Sequence, residues 1–321
     1  MIRVGIVGGA GYTAGELLRI LLNHPEVNTS FVHSKSHAGQ PVSNVHTDLL
    51  GETDLVFTDE LSLRIDALFL CMGHGQSEKF LRENAVPGKL KIIDLSQDFR
   101  LKSEGHDFIY GLPELNKHYI KVSERIANPG CFATCMQLGL LPLASYGLLQ
   151  DTVHIQGITG STGAGQKPMA TTHFSWRNNN VSVYKAFEHQ HLAEVKQSIL
   201  QLQPKFEQEL IFIPMRGNFT RGILCSMYTK CTIPFEEVKS IYESYYKRNP
   251  FVVLSDSNPD LKQVVNTNKG ILYLQKQGEY IFTVVIIDNL LKGASGQAVH
   301  NMNIAFGLDD TLGLKFKAAA F

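Results

Sequence analysis

Polar and apolar positions fall into two rhythms along this chain, and the change from one to the other divides it. In the first part, short apolar runs of strand length recur at Val4 to Val7, Val27 to His33, Asp66 to Met72 and Lys91 to Ser96. Turns rich in glycine and serine follow them, and the first leads into an amphipathic stretch, Glu16 to Leu22. Buried strands alternating with helices predict an open α/β sheet. A charge-poor extended segment then ends at Asn128-Pro129-Gly130. It gives way to a helix-period run through Met136, Leu138, Leu140, Leu141 and Leu143. Beyond it, Thr152 to Ile158 alternates as a strand, and Glu209 to Pro214, Gly222 to Tyr228, Tyr273 to Leu274 and Ile281 to Ile287 follow. Helices are expected from Leu192 through Leu202, over Phe235 to Tyr246, and after Asp288 to near Phe306. The segments Tyr110 to Leu115 and His173 to Asn180 read as a turn and a loop. The break lies near residue 133, and a second glycine turn opening a helix near 290 predicts a return to the first domain.

At 321 residues, two domains are the default. Lys+Arg and Asp+Glu are both 30, which argues against broad binding to nucleic acid or membrane surfaces. Five cysteines without framework spacing fit a reducing compartment. Met1 to Val7 reads as a strand without signal-peptide anatomy, and no apolar run reaches membrane-spanning length. A cytoplasmic protein is the expectation.

Three stretches carry candidate chemistry. The first is Gly8-Gly9-Ala10-Gly11-Tyr12-Thr13-Ala14-Gly15, between strand and helix. Gly8 permits a tight turn, Gly11 lets backbone approach a pyrophosphate, and Ala14 fills the third small position. After the second strand stand Ser34 and Lys35, where a cofactor with a free ribose 2′-hydroxyl usually meets an acid. A hydroxyl and an ammonium suit a 2′-phosphate, which predicts NADP over NAD; a solvated loop lysine is the plain alternative. Gly73, His74 and Gly75 follow a strand at its ligand-binding end, with His74 either a surface residue or part of the cofactor wall. Asp98 and Arg100 form a surface pair, or Arg100 clamps an anionic substrate.

The second stretch is Asn128-Pro129-Gly130-Cys131, which puts Cys131 in the first turn of a helix. Unpaired amides and the helix dipole there favour a thiolate, the form that acts as nucleophile; a buried packing cysteine is the plain alternative. Cys135 reads as packing. The loop Thr159 to Gly165 supplies small residues and free amides for an acyl or phosphate pocket, or is merely flexible. The third stretch is His189-Gln190-His191, with Glu194, at a helix start. It reads as an acid–base group, or as metal ligands in a spacing that matches no recognised zinc pattern. No metal is expected.

With Gly-Tyr-Thr at 11–13, Asp-Phe-Arg at 98–100, Tyr-Gly-Leu-Pro-Glu-Leu at 110–115, Asn-Pro-Gly-Cys at 128–131 and Lys-Gly-Ala-Ser-Gly-Gln-Ala at 292–298, the chain resembles the N-acetyl-γ-glutamyl-phosphate reductases of arginine biosynthesis. That family is related to the aspartate-semialdehyde dehydrogenases, and the resemblance spans nearly the whole length. It implies an α/β fold: a Rossmann-type nucleotide-binding domain, 1–133 plus 290–321, with an inserted α+β catalytic and dimerisation domain, 134–289. It implies Cys131 as nucleophile and His189 as acid–base. Glu194 would orient the substrate or the histidine, Arg100 would hold a carboxylate or phosphate, and Thr159 and Thr162 stand where serines are usual. Cofactor contacts fall to Gly8, Gly11, Tyr12, Thr13, Ser34, Lys35, Gly73, Ser161, Gly163 and Asn301. A homodimer or homotetramer is expected.

The chain departs from the family at Ala193, in place of a proline. Met215 stands in the strand-end element that usually carries a histidine, and the loop from Gln166 to Asn180 is also unusual. These changes suggest an acyl group larger than acetyl or anionic, such as succinyl, met by Arg177, Lys185 or Arg216. The implied reaction is NADPH-dependent reduction of an N-acyl-γ-glutamyl phosphate through a cysteine thioester. Alternatives are the same chemistry on an N-acyl-aminoadipyl phosphate of lysine biosynthesis, a cysteine hydrolase on a nucleotide-binding scaffold, or a non-catalytic NADP-binding regulator.

Overall fold

A computed structural model of the chain describes residues 1–319. They form two compact units, Met1–Pro129 with Ala294–Lys315, and Gly130–Gly293 with the described residues from Phe316 on. The switch points lie four residues before 133 and four after 290, so Cys131 opens the second unit instead of closing the first.

The first unit begins Ile2–Val7 (β1), Tyr12–Leu21 (α1), Val27–His33 (β2), Phe57–Thr58 (β3), Ala67–Leu70 (β4) and Gln76–Glu83 (α2). Lys91–Asp94 (β5), Ile109–Tyr110 (β6), Pro113–Val122 (α3) and Arg125–Ala127 (β7) follow. All seven strands run parallel in the order β3-β2-β1-β4-β5-β7-β6. The order reverses between β1 and β4, which opens a crevice at their C-terminal ends. Gly8 sits there at φ +82°, and a Cβ on it would lie 2.8 Å from the Cys71 carbonyl, so only glycine fits.

Two predicted turns prove to be helix starts. Pro113, at the first position of α3, needs no amide partner there. Gly75, at φ +77°, opens α2, whose first amides are capped from a distance. Asp98 accepts from the Gly75, Ser77 and Glu78 N–H groups at 2.6, 3.1 and 3.2 Å. Asp98 is thus a helix cap and not half of a surface pair with Arg100.

The second unit runs Cys131–Ala144 (α4), Val153–Thr159 (β8), Phe174–Arg177 (α5), Ser182–Val183 (β9), His191–Leu202 (α6), Leu210–Arg216 (β10) and Ile223–Lys230 (β11). Phe235–Tyr246 (α7), Val252–Ser255 (β12), Gly270–Gln277 (β13) and Tyr280–Ile287 (β14) complete it. Its mixed sheet has the order β12-β13-β14-β11-β8-β10-β9. The core gathers α4 with Ile155, Phe212, Met227 and Val285 of the sheet. The loop expected from Gln166 to Asn180 contains the one-turn helix α5.

Ser295–Ala305 (α8) then returns to the first unit, where the Ser295 hydroxyl donates to the Thr13 carbonyl at 2.7 Å. This helix starts later than its glycine turn suggests. Asp288 first folds the chain back, its carboxylate accepting the Leu290 and Leu291 amides at 2.8 and 3.1 Å. No helix among the described residues is long and apolar enough to cross a membrane.

Candidate active site

Helix α4 is buried at every position from Phe132 to Ala144, and Cys131 alone is not. The sequence forces this placement. Gly130 is extended, at φ −69° and ψ 149°, and ends the approach that Pro129 fixes. Its N–H donates to Glu194 Oε2 at 2.9 Å. A Cβ on Gly130 would lie 2.3 Å from His191 Nε2, and one on Gly293 would lie 2.8 Å from the Cys131 Cβ. Two glycines therefore let α6 and the 288–293 turn close around the base of Cys131. Cys135, one turn on, is fully buried and donates to the Val285 carbonyl at 3.3 Å; burial raises its pKa. It is the packing cysteine the sequence suggested.

His189 precedes α6 and is buried among rings, with centroids of Phe132, Phe212, Tyr184 and His191 at 5.6, 5.5, 5.8 and 4.6 Å. Its Nδ1 accepts the His191 N–H at 3.2 Å, which leaves the hydrogen of a neutral ring on Nε2. Burial, then the charges of Lys185 and Arg216, push its pKa down to about 4. At neutral pH His189 is therefore an uncharged Nε2–H donor.

The Arg216 guanidinium lies 4.6 Å from the centre of the Tyr184 ring. The Tyr184 hydroxyl pKa is raised by burial and then by the neighbouring Cys131 charge. Lys185 and Phe187 adopt left-handed φ values of 45° and 66°, unusual for residues with a Cβ. The segment is strapped to β10 by Tyr184 N–H to the Pro214 carbonyl, 3.1 Å, and Phe187 N–H to the Phe212 carbonyl, 3.0 Å. Lys185 and Arg216 are thus brought near His189. His191, read with His189 as an acid–base group, stands with them, and so does Tyr184, which carried no assigned role and whose only signal was adjacency to Lys185.

Several residues expected at the site hold partners within the protein. Arg177 does not present a free cation. It is 6% exposed, stacks 4.7 Å from the Trp176 ring, and donates to the carbonyls of Asn180 and Arg216 at 3.2 and 2.5 Å and to Ser182 Oγ at 2.9 Å. It ties the 166–180 loop to β10. Arg100 is 7% exposed, with N–H groups on the Asn128 and Leu95 carbonyls at 2.9 Å each, which anchor the segment before Pro129 and Gly130. Glu194, 3% exposed, holds the Gly130 amide and lies 3.9 Å from His191 Nε2, and so braces the start of the Cys131 helix. Asn301 is fully buried, its Nδ2 donating to the Gly111 carbonyl and Asn128 Oδ1 at 2.8 and 3.0 Å. Thr159 is 2% exposed with its hydroxyl on the Gly160 carbonyl at 3.4 Å. Thr162 donates to the Thr220 carbonyl at 2.6 Å and accepts from Asn289 at 2.9 Å. Arg221, the second arginine of its loop, forms a bidentate pair with Asp288 at 3.1 and 3.2 Å.

In the first unit the glycine turn is built for close approach. A Cβ on Gly9 would lie 2.3 Å from Val32 Cγ1, whereas one on Gly11 meets nothing nearer than the Gly8 carbonyl at 3.9 Å. The space over Gly11, where α1 begins without a side-chain cap, suits a pyrophosphate on the helix amides. Tyr12 and Thr13 open that helix, and Ser34 and Lys35 end β2 beside it. Gly73 is exposed at the end of β4. In the second unit Ser161 and Gly163 lie in a single 3₁₀ turn, Ser161–Ala164. Among the described residues no group of three or more His, Cys, Asp or Glu gathers for a metal.

Comparison with known proteins agrees with both units. Residues 3–123 match the family model described as semialdehyde dehydrogenase, NAD binding domain, and residues 131–289 the one described as semialdehyde dehydrogenase, dimerisation domain. N-acetyl-γ-glutamyl-phosphate reductases of Phocaeicola vulgatus and Bacteroides thetaiotaomicron are each 58% identical over 322 residues, and that of Flavobacterium johnsoniae 54% over 325, covering all of each chain. Among solved structures, aspartate semialdehyde dehydrogenase II of Vibrio cholerae, complexed with ASA, superposes with a TM-score of 0.75 at 16% identity, over 96% of this chain and 98% of that one. The Candida albicans aspartate semialdehyde dehydrogenase with NADP gives 0.76 at 16% identity, over 96% and 99%. These last two speak for the fold. By full-length identity the chain belongs to the N-acetyl-γ-glutamyl-phosphate reductase family of the semialdehyde dehydrogenases.

Proposed function

We propose that this protein reduces an N-acyl-γ-glutamyl phosphate to the N-acyl-glutamate semialdehyde and phosphate, using NADPH and a thioester on Cys131. The observation that carries the reading is that Cys131 alone is only partly buried, at the N-terminus of an otherwise buried helix. First-turn amides and the helix dipole favour the thiolate there. The thiolate attacks the acyl carbonyl carbon, the carbon–oxygen bond to phosphate breaks, and phosphate leaves with the electron pair. A bound nicotinamide supplies the hydride that the thioester carbon accepts. The resulting alkoxide collapses, the carbon–sulfur bond breaks, and the Cys131 thiolate returns.

His189 acts on the oxygen at both stages. As a neutral Nε2–H donor it stabilises the developing oxyanion. Substrate phosphate and carboxylate beside it would raise its pKa and let it deliver a proton. Arg216 and Lys185 are the cations suited to those anions. Glu194 and His191 hold Gly130, and through it the direction of the thiol.

NADP over NAD is supported by Ser34 and Lys35 at the end of β2, in a turn without a carboxylate. With Arg177 committed to carbonyls, reading of a larger or anionic acyl group falls to Lys185 and Arg216. A second copy of the chain is the partner suited to the sheet face opposite α4, where Leu224, Ile271, Tyr273 and Phe282 are only partly buried around Val264, Val284 and Ile286. An odd set of five cysteines supports a cytoplasmic site of action.

The reverse reaction tests the reading. NADP reduction is followed with phosphate and, in turn, the N-acetylglutamyl, N-succinylglutamyl and N-acetylaminoadipyl semialdehydes. Phosphate-dependent activity establishes the chemistry, and the preferred aldehyde names the acyl group and chain length. A protein that binds NADPH but reduces NADP with none of the three refutes the proposal.

A further inference from the structure

The segment between β2 and β3 carries a buried histidine that no step of the chemistry uses. His46 stands between two single 3₁₀ turns, Val42–Asn44 and Thr47–Leu49. Its N–H donates to the Val42 carbonyl at 2.9 Å, and the Val42 N–H donates to the Leu55 carbonyl at 2.9 Å, so its backbone is fixed. Its ring packs beside the buried Phe57 ring, with centroids 6.2 Å apart. A Cβ on Gly15 would lie 2.6 Å from His46 Nδ1, so α1 gives up a side chain in its first turn to admit the imidazole. Thus seated, His46 Nε2 lies 2.7 Å from the Gly9 carbonyl oxygen. A carbonyl only accepts, so Nε2 carries the hydrogen and donates. Gly9 is held on both sides, because its own N–H donates to the His33 carbonyl at 2.9 Å.

We propose that His46 is a positioning residue for the cofactor: it fixes the Gly9–Ala10 peptide so that the Ala10 N–H is presented to the pyrophosphate. The inference rests on the nucleotide-binding reading of the glycine turn. The Gly9–Ala10 peptide is trans, and in a planar trans peptide the N–H points opposite the carbonyl. With the Gly9 carbonyl turned to His46, the Ala10 N–H points away from the imidazole. It has no partner among the described residues. It therefore joins the uncapped first amides of α1, two residues on, as a donor for an anion. Without His46, the peptide could rotate about Gly9, which has no Cβ to restrain it. The carbonyl oxygen would then turn toward the phosphates and repel them. His46 acts through the backbone of Gly9 and touches neither cofactor nor substrate. NADPH and NADH share the pyrophosphate, so its effect is the same on both.

Fluorescence titration of the full chain with NADPH and NADH, competition by ADP and by millimolar adenosine, and steady-state kinetics test the inference. His46→Phe keeps a ring over Gly15 and removes the donor. It should weaken NADPH, NADH and ADP alike, by about tenfold, and adenosine by less than about twofold. KM for NADPH should rise by the same factor, with kcat at saturation within about twofold of wild type. His46→Gln, whose side-chain amide can donate to the same carbonyl, should recover most of the affinity. Gly15→Ala, which pushes the ring aside, should reproduce the loss with His46 still present. The role of His46 is overturned if His46→Phe binds NADPH as wild type does, or weakens ADP and adenosine equally. It is also overturned if His46→Gln is as weak as His46→Phe, or if kcat falls while KM stays. In each of these cases the glycine turn remains the pyrophosphate site. If the wild-type chain binds neither NADPH nor NADH, the nucleotide reading fails, and this inference with it.

Discussion

Cys131 and His189 divide the chemistry between a group that changes its bonds and a group that changes its charge environment. Cys131→Ala should abolish turnover while leaving NADPH binding intact, measured by steady-state assay and fluorescence titration; residual turnover near wild type would remove covalent catalysis by this thiol. His189→Asn keeps a hydrogen-bond donor but cannot exchange a proton, and should lower kcat by about 10²–10³-fold. The resting pKa of about 4 has a further consequence. Lys185 and Arg216 both lower it, so Lys185→Gln should move the His189 titration upward, followed by NMR of the imidazole. An unmoved titration would mean that Lys185 contributes nothing to it. At this scale the sequence was most informative about identity and least about orientation. Arg177, Arg100, Glu194, Thr159 and Asn301 have suitable chemistry, and each is also buried and hydrogen-bonded to backbone or side-chain partners. A guanidinium that folds onto carbonyls and one that faces solvent look alike in sequence.

Helix α4 is the element on which the site depends, and it carries a flaw that two tyrosines repair. Pro142 lies inside it and cannot donate to the Leu138 carbonyl. The Tyr246 hydroxyl donates to that carbonyl at 2.5 Å, and Tyr242 to the Gly139 carbonyl at 2.5 Å, both from α7. Tyr246→Phe leaves a buried carbonyl with one partner fewer and should cost about 1–3 kcal/mol, read from denaturant unfolding. At the other end of the helix, Gly130→Ala would drive a Cβ to 2.3 Å from His191 Nε2. That substitution should lower kcat more than it lowers stability, because the ring must move and the direction of the Cys131 bond with it; a drop in Tm with unchanged kcat would contradict this. The proline was plain in the sequence, but its compensation lies 104 residues away, on a helix whose face only packing selects.

For the molecule as a whole, acid sensitivity and self-association follow from burial. Asp310 is held at a pKa of about 2, chiefly by the His300 imidazole 3.3 Å away and also by Lys117. A carboxyl whose folded pKa is depressed stabilises the folded state above its unfolded pKa, about 3.9, and that contribution is lost as pH falls through about 2. Asp310→Asn should therefore lower Tm at pH 7, with the difference from wild type vanishing between about pH 4 and 2. For self-association, Phe282→Asp on the open sheet face should shift the sedimentation of the chain toward monomer. Wild-type behaviour of that variant would assign the partner copy to another face.

The sequence by itself determined the periodic and the local features. Val27–His33 and Phe235–Tyr246 have the predicted bounds, and Cys131 stands in the first turn of its helix, because apolar period and the Pro-Gly approach act within a few residues. The motif order also determined the family, since those residues occur together for one chemistry. Tertiary structure alone decided that Tyr110–Leu115 feeds a helix, that Asp98 caps α2 from 20 or more residues away, and that Glu194 and His191 brace Gly130. It also decided which cations face the histidine and which are consumed as struts. Each of these turns on where a side chain's hydrogen bonds end. A donor or acceptor has many potential partners along the chain, and only the packed fold brings one of them within 3 Å.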